Sequence, residues 1–148
     1  MKFFFASIIF FLFSSAGFGQ KWIYISDDDK GVKHYYDSNI IVRDNNITEV
    51  WFKEGPPIEK LEQYRHDLIA RRKNKSLPIT GYEYYSYSIT KQIFDCKQRK
   101  MKEYVAFYDY SDKGAVIFSA SFDEAKVKWE DIVPESVGEK ILSTVCKH

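Results

Sequence analysis

Residues that build metal-binding or catalytic sites are scarce in this sequence. Its 148 residues include 2 cysteines and 3 histidines. No histidine has a cysteine or carboxylate partner at ligand spacing, which argues against a zinc site. A G-x-S-x-G elbow, a phosphate-binding loop and a dinucleotide fingerprint are also missing. We therefore expect no cofactor, no metal and no enzymatic activity. An enzyme would need a pocket in which His34 or His66 meets carboxylates.

An excess of charge of one sign is absent as well. The chain has 22 lysines and arginines against 21 acidic residues, and its formal net charge is +1. Removing residues 1–19 removes a single charge, Lys2, and leaves the rest of the chain balanced. A balanced chain lacks the positive field that attracts polyanions, so we expect no nucleic-acid partner.

Long hydrophobic runs are limited to one, at residues 3–13. It follows Lys2 and precedes Gly17 and Gly19, which suit a cleavage site, so we predict a signal peptide over residues 1–19. The alternative is an uncleaved signal anchor, although the run is short for a membrane span. No cysteine lies near the junction, so no lipidation motif is expected. Residues 20–148 are predicted to form one exported domain without a stable membrane span, located in the periplasm, at the cell surface or outside the cell.

Short β-favouring segments separated by turn residues dominate the remaining sequence. The alternation of apolar and polar residues predicts strands at 21–26, 32–42, 47–53, 82–97, 101–110 and 115–122. Helix-forming residues predict a peripheral helix at 58–73 and a second helix at 137–147. These elements indicate an α+β fold, in which about six antiparallel strands form a sheet and the C-terminal helix packs on it.

The C-terminal helix has the clearest local signals. Ser136 and Glu139 have the spacing of a capping box, which predicts the start of the helix. Its apolar residues form one core-facing stripe: Val137, Ile141, Leu142 and Val145. The only intramolecular disulfide that two cysteines allow would join this helix, at Cys146, to Cys96. An oxidising compartment favours that bond, and the alternative is two buried free thiols.

Two features are candidates for a binding surface. The first is a basic cluster at the end of the predicted middle helix, formed by Arg71, Arg72, Lys73 and Lys75. It could contact a polyanion, or it could be a solvated helix end whose cations suit the helix dipole. The second is a tyrosine-rich segment with Tyr84, Tyr85 and Tyr87. Exposed tyrosines are good protein-binding residues, but they could equally fill the core of a small sheet.

Aromatic landmarks follow one another in a distinctive order along the chain. They are Trp22, Tyr35-Tyr36-Asp37, Val50-Trp51-Phe52-Lys53, Gly81-Tyr82, Phe94-Asp95-Cys96-Lys97, Tyr108-Asp109 before Gly114, Trp129, Ile132-Val133-Pro134-Glu135-Ser136 and Val145-Cys146. In this order they resemble the bacterial surface-adhesin protein E-like family. The resemblance implies an antiparallel sheet tied to a C-terminal helix through Cys96 and Cys146.

The same resemblance implies a function. It points to a non-enzymatic protein with a macromolecular partner, such as the host matrix proteins vitronectin and laminin. This sequence departs from the named adhesin because it lacks a lipidation cysteine. The alternative is therefore a periplasmic accessory or envelope-structure domain with no host partner.

Overall fold

An antiparallel sheet forms the body of the protein in a computed structural model, which describes residues 20–44 and 46–147. The predicted signal peptide at residues 1–19 lies outside the described residues. Six strands follow the order β1-β2-β4-β5-β6-β7, while β3 pairs with β4 and β8 with β6. The strands are β1 Trp22–Asp27, β2 Lys33–Asp37, β3 Ile41–Val42, β4 Ile47–Gly55, β5 Tyr85–Asp95, β6 Lys100–Ser111, β7 Val116–Ser121 and β8 Glu130–Asp131. The predicted fold class, with about six antiparallel strands, is confirmed.

Aspartate side chains and glycines set the turns between neighbouring strands. The Asp28 carboxylate accepts hydrogen bonds from the backbone N–H groups of Lys30 and Val32, which closes the β1–β2 turn. Gly31 in this turn and Gly114 in the β6–β7 turn have φ angles of 79° and 76°, a region that glycine enters without steric cost. These local signals explain why the strand positions follow so closely from the sequence.

Three sequence-based predictions are wrong. The strand predicted at 32–42 is divided into two strands, β2 and β3, which pair separately with β4. Residues Tyr82–Tyr84 form a 3-10 turn rather than the start of a strand, because Tyr84 N–H donates to the Gly81 carbonyl three residues earlier. Ile58–Lys60 also form a 3-10 turn, which precedes helix α1, Leu61–Asn74. Ile58 is 87% exposed, because the tighter turn does not continue the 3.6-residue period that would place it with the helix face.

Helix α2, Val137–Val145, covers one face of the sheet. Ser136 caps it: its Oγ accepts a hydrogen bond from the Glu139 N–H at 3.2 Å. The Glu139 carboxylate accepts in turn from the Glu135 N–H at 2.7 Å. The predicted capping pair is therefore confirmed, with the return bond shifted by one residue from Ser136 to Glu135.

The hydrophobic core lies between α2 and the centre of the sheet. It is formed by Val50, Phe52, Phe94, Ile132, Ile141, Leu142 and Val145. The Cys96–Cys146 disulfide closes one side of this core, with a Cα–Cα distance of 5.6 Å. The alternative of two free thiols is therefore wrong.

Alternation along the strands gives the sheet two different sides. We call the side that carries α1 and α2 the helix face; Phe52, Glu54 and Thr90 project from it. We call the other side the open face. Segment 122–129 crosses one end of the open face, where Glu124 binds Arg43 and Lys102. In the part of the chain that the structure describes, neither helix packs against the rest of the open face.

Candidate binding surface

The predicted basic cluster divides into exposed and buried residues. Arg71, Lys73 and Lys75 are exposed at the C-terminal end of α1. Arg72 is only 8% exposed. Its Nε donates a hydrogen bond to the Pro78 carbonyl at 2.6 Å. Arg72 therefore does not belong to an exposed surface.

Arg72 lies between two aromatic rings. The carbon of its guanidinium lies 4.0 Å from the ring centroid of Tyr82 and 4.9 Å from that of Phe118. Cation–π contact is strong when the cation is desolvated. Its Nη2 is buried without a hydrogen-bond partner among the described residues, which reduces the net gain. Arg72 thus connects α1 to the sheet as a structural residue.

Replacing Arg72 therefore affects stability, and replacing its neighbour does not. We expect Arg72→Ala to lower the free energy of unfolding by about 2 kcal/mol, because packing, two cation–π contacts and one hydrogen bond are lost. Arg71→Ala, at an exposed position, should change it by less than about 0.5 kcal/mol. Urea denaturation of the two variants measures the difference, and equal midpoints would contradict a structural role for Arg72.

The three predicted tyrosines lie in three different environments. Tyr84 is 55% exposed. Tyr85 is buried under α1, where its ring stacks on that of Tyr64 at 5.6 Å. Tyr87 lies half-buried on the open face and stacks on Tyr110 at 5.0 Å. The β-bulge between residues 85 and 87 sends their side chains to opposite faces, so the basic cluster and these tyrosines do not form one patch.

The open face carries a larger aromatic array, which we call the aromatic surface. Its members are Tyr24, Tyr35, Trp51, Tyr87, Tyr108 and Tyr110. The last four form a line of contacting rings across strands β4 to β6: Trp51 lies 6.0 Å from Tyr108, which lies 6.4 Å from Tyr110, and Tyr110 stacks on Tyr87. A second pair, Tyr24 and Tyr35, packs edge to face at 5.6 Å on β1 and β2.

Lysines alternate with the rings of the aromatic surface. Lys53 Nζ lies 4.1 Å from the ring centroid of Tyr87, and the Cα atoms of Lys53 and Tyr35 are cross-strand partners. Lys33 lies over Tyr24 at 5.9 Å, and Lys91 over Trp51 at 6.0 Å. Rings whose rotamers are held by stacked neighbours lose little entropy on binding. The aromatic surface is therefore pre-organised, and it combines apolar ring faces with the ammonium groups of the three lysines.

A buried acidic residue anchors one end of the aromatic surface. Glu49 accepts a hydrogen bond from Lys91 at 2.6 Å and another from Arg43, which also binds Glu124. Burial opposes the charge of Glu49, but these hydrogen bonds outweigh it and hold its pKa below the usual range. Glu49 thereby fixes Lys91 against Trp51.

Of the residues of the aromatic surface, only Tyr87 was among the candidate binding residues predicted from the sequence. The missing signal was the two-residue period that pairs Trp51 with Lys53 and Tyr108 with Tyr110. The turns set the register between the strands, and the two-residue period sets the face. Together they could have placed these four residues on one face of the sheet.

His34 meets two carboxylates in a cleft, which is the arrangement that an enzyme would need. His34 lies in a cleft on the helix face, with Nδ1 3.7 Å from Glu54 and Nε2 3.9 Å from Asp28. Burial lowers its pKa, so its imidazole is neutral at pH 7. Among residues 20–44 and 46–147, no hydroxyl or thiol is hydrogen-bonded to His34, and no three histidine, cysteine or acidic side chains are grouped as a metal would require.

The fold and its surface define a small, disulfide-linked α+β protein with a one-sided antiparallel sheet. The chain belongs to the surface-adhesin protein E family, whose sequence model matches residues 22–147. No curated protein and no solved structure matches the sequence significantly. Membership of this family suggests a protein partner and an exported or surface location, and it implies a non-enzymatic protein. Within the described residues, no helix has the length and apolar character needed to span a bilayer.

Proposed function

We propose that this protein is exported by a bacterium and binds a macromolecular partner through the aromatic surface, without catalysing a reaction. The carrying observation is the line of stacked rings on the open face, flanked by Lys33, Lys53 and Lys91. Tyrosine and tryptophan are enriched where proteins bind each other, because they combine large contact area with a polar tip. A host extracellular matrix protein is the partner that the family favours.

Binding to immobilised vitronectin and laminin tests this proposal. We expect saturable binding of the purified protein. The double variant Tyr87→Ser/Tyr110→Ser should lose affinity by at least about 30-fold, because tyrosine is enriched among the residues whose truncation costs most binding energy at interfaces. Tyr84→Ser is the matched control, since Tyr84 is an exposed tyrosine that lies outside the aromatic surface.

Two outcomes contradict parts of the proposal. Binding that is unchanged in the double variant places the binding site elsewhere on the protein. Absence of saturable binding to any matrix protein contradicts the adhesin function and favours a periplasmic accessory or envelope-structure role. Cell fractionation separates these readings, because a purely periplasmic pool is incompatible with a surface adhesin.

A further inference from the structure

A cleft on the helix face, opposite the aromatic surface, is used by neither the core nor the proposed function. Glu54 lines three neighbouring spaces of this cleft. The inner space, about 220 Å³, lies between α1 and the sheet. The spaces toward Asp28 and toward α2 measure about 560 Å³ and 410 Å³. Each of the two larger spaces has the size of a small-molecule binding site.

Of the two carboxylates that line the inner space, Glu54 is the one that accepts no hydrogen bond from a described residue. Both oxygens of its neighbour Asp109 are occupied, because Tyr82 donates to one at 2.5 Å and Ser88 to the other at 2.6 Å. Glu54 has only His34 nearby, at 3.7 Å, which is longer than a hydrogen bond. In the described parts of the chain, no lysine or arginine lies within 4 Å of the Glu54 carboxylate.

The walls of the inner space are aromatic and apolar. Tyr64 and Leu68 of α1 face Tyr104 and Phe107 of β6 across the cleft. Tyr104 occupies a β-bulge with a φ angle of 54°, an unusual value for an aromatic residue. A bulge of this kind re-aims a side chain, and here it places the Tyr104 ring in the cleft beside Glu54.

The charge around Glu54 is uncompensated. Burial, followed by the repulsion of Asp109, Glu103 and Asp28, raises the pKa of Glu54 to about 7. The side chain nevertheless remains 34% exposed, so it is accessible from the solvent. The protein thus holds an accessible carboxylate that lacks a cation partner, between aromatic rings that attract cations.

We propose that the cleft binds a primary alkylammonium group, with the Glu54 carboxylate accepting its hydrogen bonds and the rings of Tyr64 and Tyr104 packing on its alkyl stem. The facing aromatic and apolar side chains suit a linear aliphatic chain, as in the buried stems of lysines. The group could be a lysine side chain of a peptide or a free diamine. This site is separate from the aromatic surface and does not depend on the proposed function.

Calorimetric titration of the purified protein at pH 8 tests the proposal, with cadaverine as the free diamine and acetyl-Gly-Lys-Gly-amide as the peptide. We expect saturable binding of at least one probe. Binding of the peptide alone identifies a protein-derived lysine, and binding of cadaverine alone identifies a small amine. We expect Glu54→Gln to weaken the binding at least 10-fold, while Glu83→Gln, at an exposed carboxylate outside the cleft, should leave it unchanged.

A second variant should change the affinity for the ammonium probes in the opposite direction. Arg71 lines the inner space, and its guanidinium lies 5.8 Å from the ring centroid of Tyr64. It repels an incoming ammonium group, so Arg71→Gln should strengthen binding several-fold. Binding of neither probe, or equal affinities for the original protein and Glu54→Gln, would overturn the proposal.

The binding should depend on pH with a defined direction. Glu54 is mostly charged only above its folded pKa of about 7, so ammonium affinity should fall as the pH is lowered through 7, and Glu54→Gln should lose this transition. The other titratable or charged groups that face the cleft are Asp28, Lys30, His34, Tyr64, Asp67, Arg71, Tyr85, Glu103, Tyr104, Asp109, Glu130 and Asp131. Burial lowers the pKa of His34 from its ordinary 6.5, so its protonation, which would also weaken ammonium binding, occurs below that pH and persists in Glu54→Gln. Burial, followed by the repulsion of Glu130, raises the pKa of Glu103, and its loss of charge persists in Glu54→Gln as well. Burial raises the pKa of Tyr104 to about 12, so its hydroxyl stays neutral near pH 7.

The melting temperature of Glu54→Gln without ligand independently checks its fold and the charge of Glu54. A carboxyl group whose pKa is raised on folding contributes stability that is complete at acid pH and is lost as the pH rises through the folded pKa. Glu54→Gln should therefore melt at a higher temperature than the original protein at pH 8. A melting temperature lower than the original at pH 8 would contradict the uncompensated charge on which the proposal rests.

Discussion

Replacing Cys146 by alanine should lower the free energy of unfolding by about 4 kcal/mol. The Cys96–Cys146 disulfide joins positions 50 residues apart. In the chain-entropy account, a cross-link over such a loop restricts the unfolded chain and thereby stabilises the folded state. The loss is large against the 5–15 kcal/mol that typically stabilises a small domain.

Local packing explains why the folded state accommodates the bond. Cys96 follows β5 directly, and Cys146 follows α2 directly. Val145 beside it is fully buried in the core. Losing the disulfide therefore also weakens the docking of α2 on the sheet.

Urea denaturation with and without reductant measures the effect. The oxidised protein should unfold at a clearly higher urea concentration than the reduced protein, and Cys146→Ala should behave as the reduced protein does. Addition of reductant to Cys146→Ala is the control and should change nothing. Equal midpoints for oxidised and reduced protein would show that the bond does not stabilise the fold.

The strands and α2 follow from the sequence because their signals are local. Ser136 and Glu139 cap the helix through contacts within four residues, and Ile141, Leu142 and Val145 recur with its period. The same holds for the Asp28 turn. In these elements the local preference and the tertiary structure agree, which is the condition for a correct prediction from sequence.

The binding surface and the cleft depend on contacts between distant parts of the chain. Arg72 belongs to a basic run, yet Phe118, 46 positions later, helps to bury it. Two tyrosines that are close in sequence, Tyr85 and Tyr87, are separated by a bulge that no composition rule marks. Glu54 becomes unusual only because Asp109 comes from another strand. Each case is a tertiary effect that overrides local preference.

Replacing Phe94 by alanine should lower the free energy of unfolding by about 3–5 kcal/mol, the range for a large aromatic residue in a core. Phe94 is fully buried, and its ring packs edge to face on Phe52 at 5.9 Å. Its removal leaves a cavity under α2, which the disulfide prevents from collapsing freely. Phe122→Ala is the matched control: Phe122 is exposed, so its loss should cost less than about 1 kcal/mol. Denaturation midpoints that agree for the two variants would contradict this position of the core.

A milder substitution at the same site tests whether the core and the disulfide act on α2 together. Phe94→Leu should cost about 1 kcal/mol in the oxidised protein, because most of the buried volume is retained. If the Cys96–Cys146 bond holds α2 against Phe94, the cost should be smaller in Cys146→Ala, where the helix can shift to fill the space. A double-mutant cycle measures this coupling. Strict additivity would show that the disulfide acts on the unfolded chain alone, whereas a coupling of 0.5 kcal/mol or more would show that it also sets the packing of the helix on the sheet.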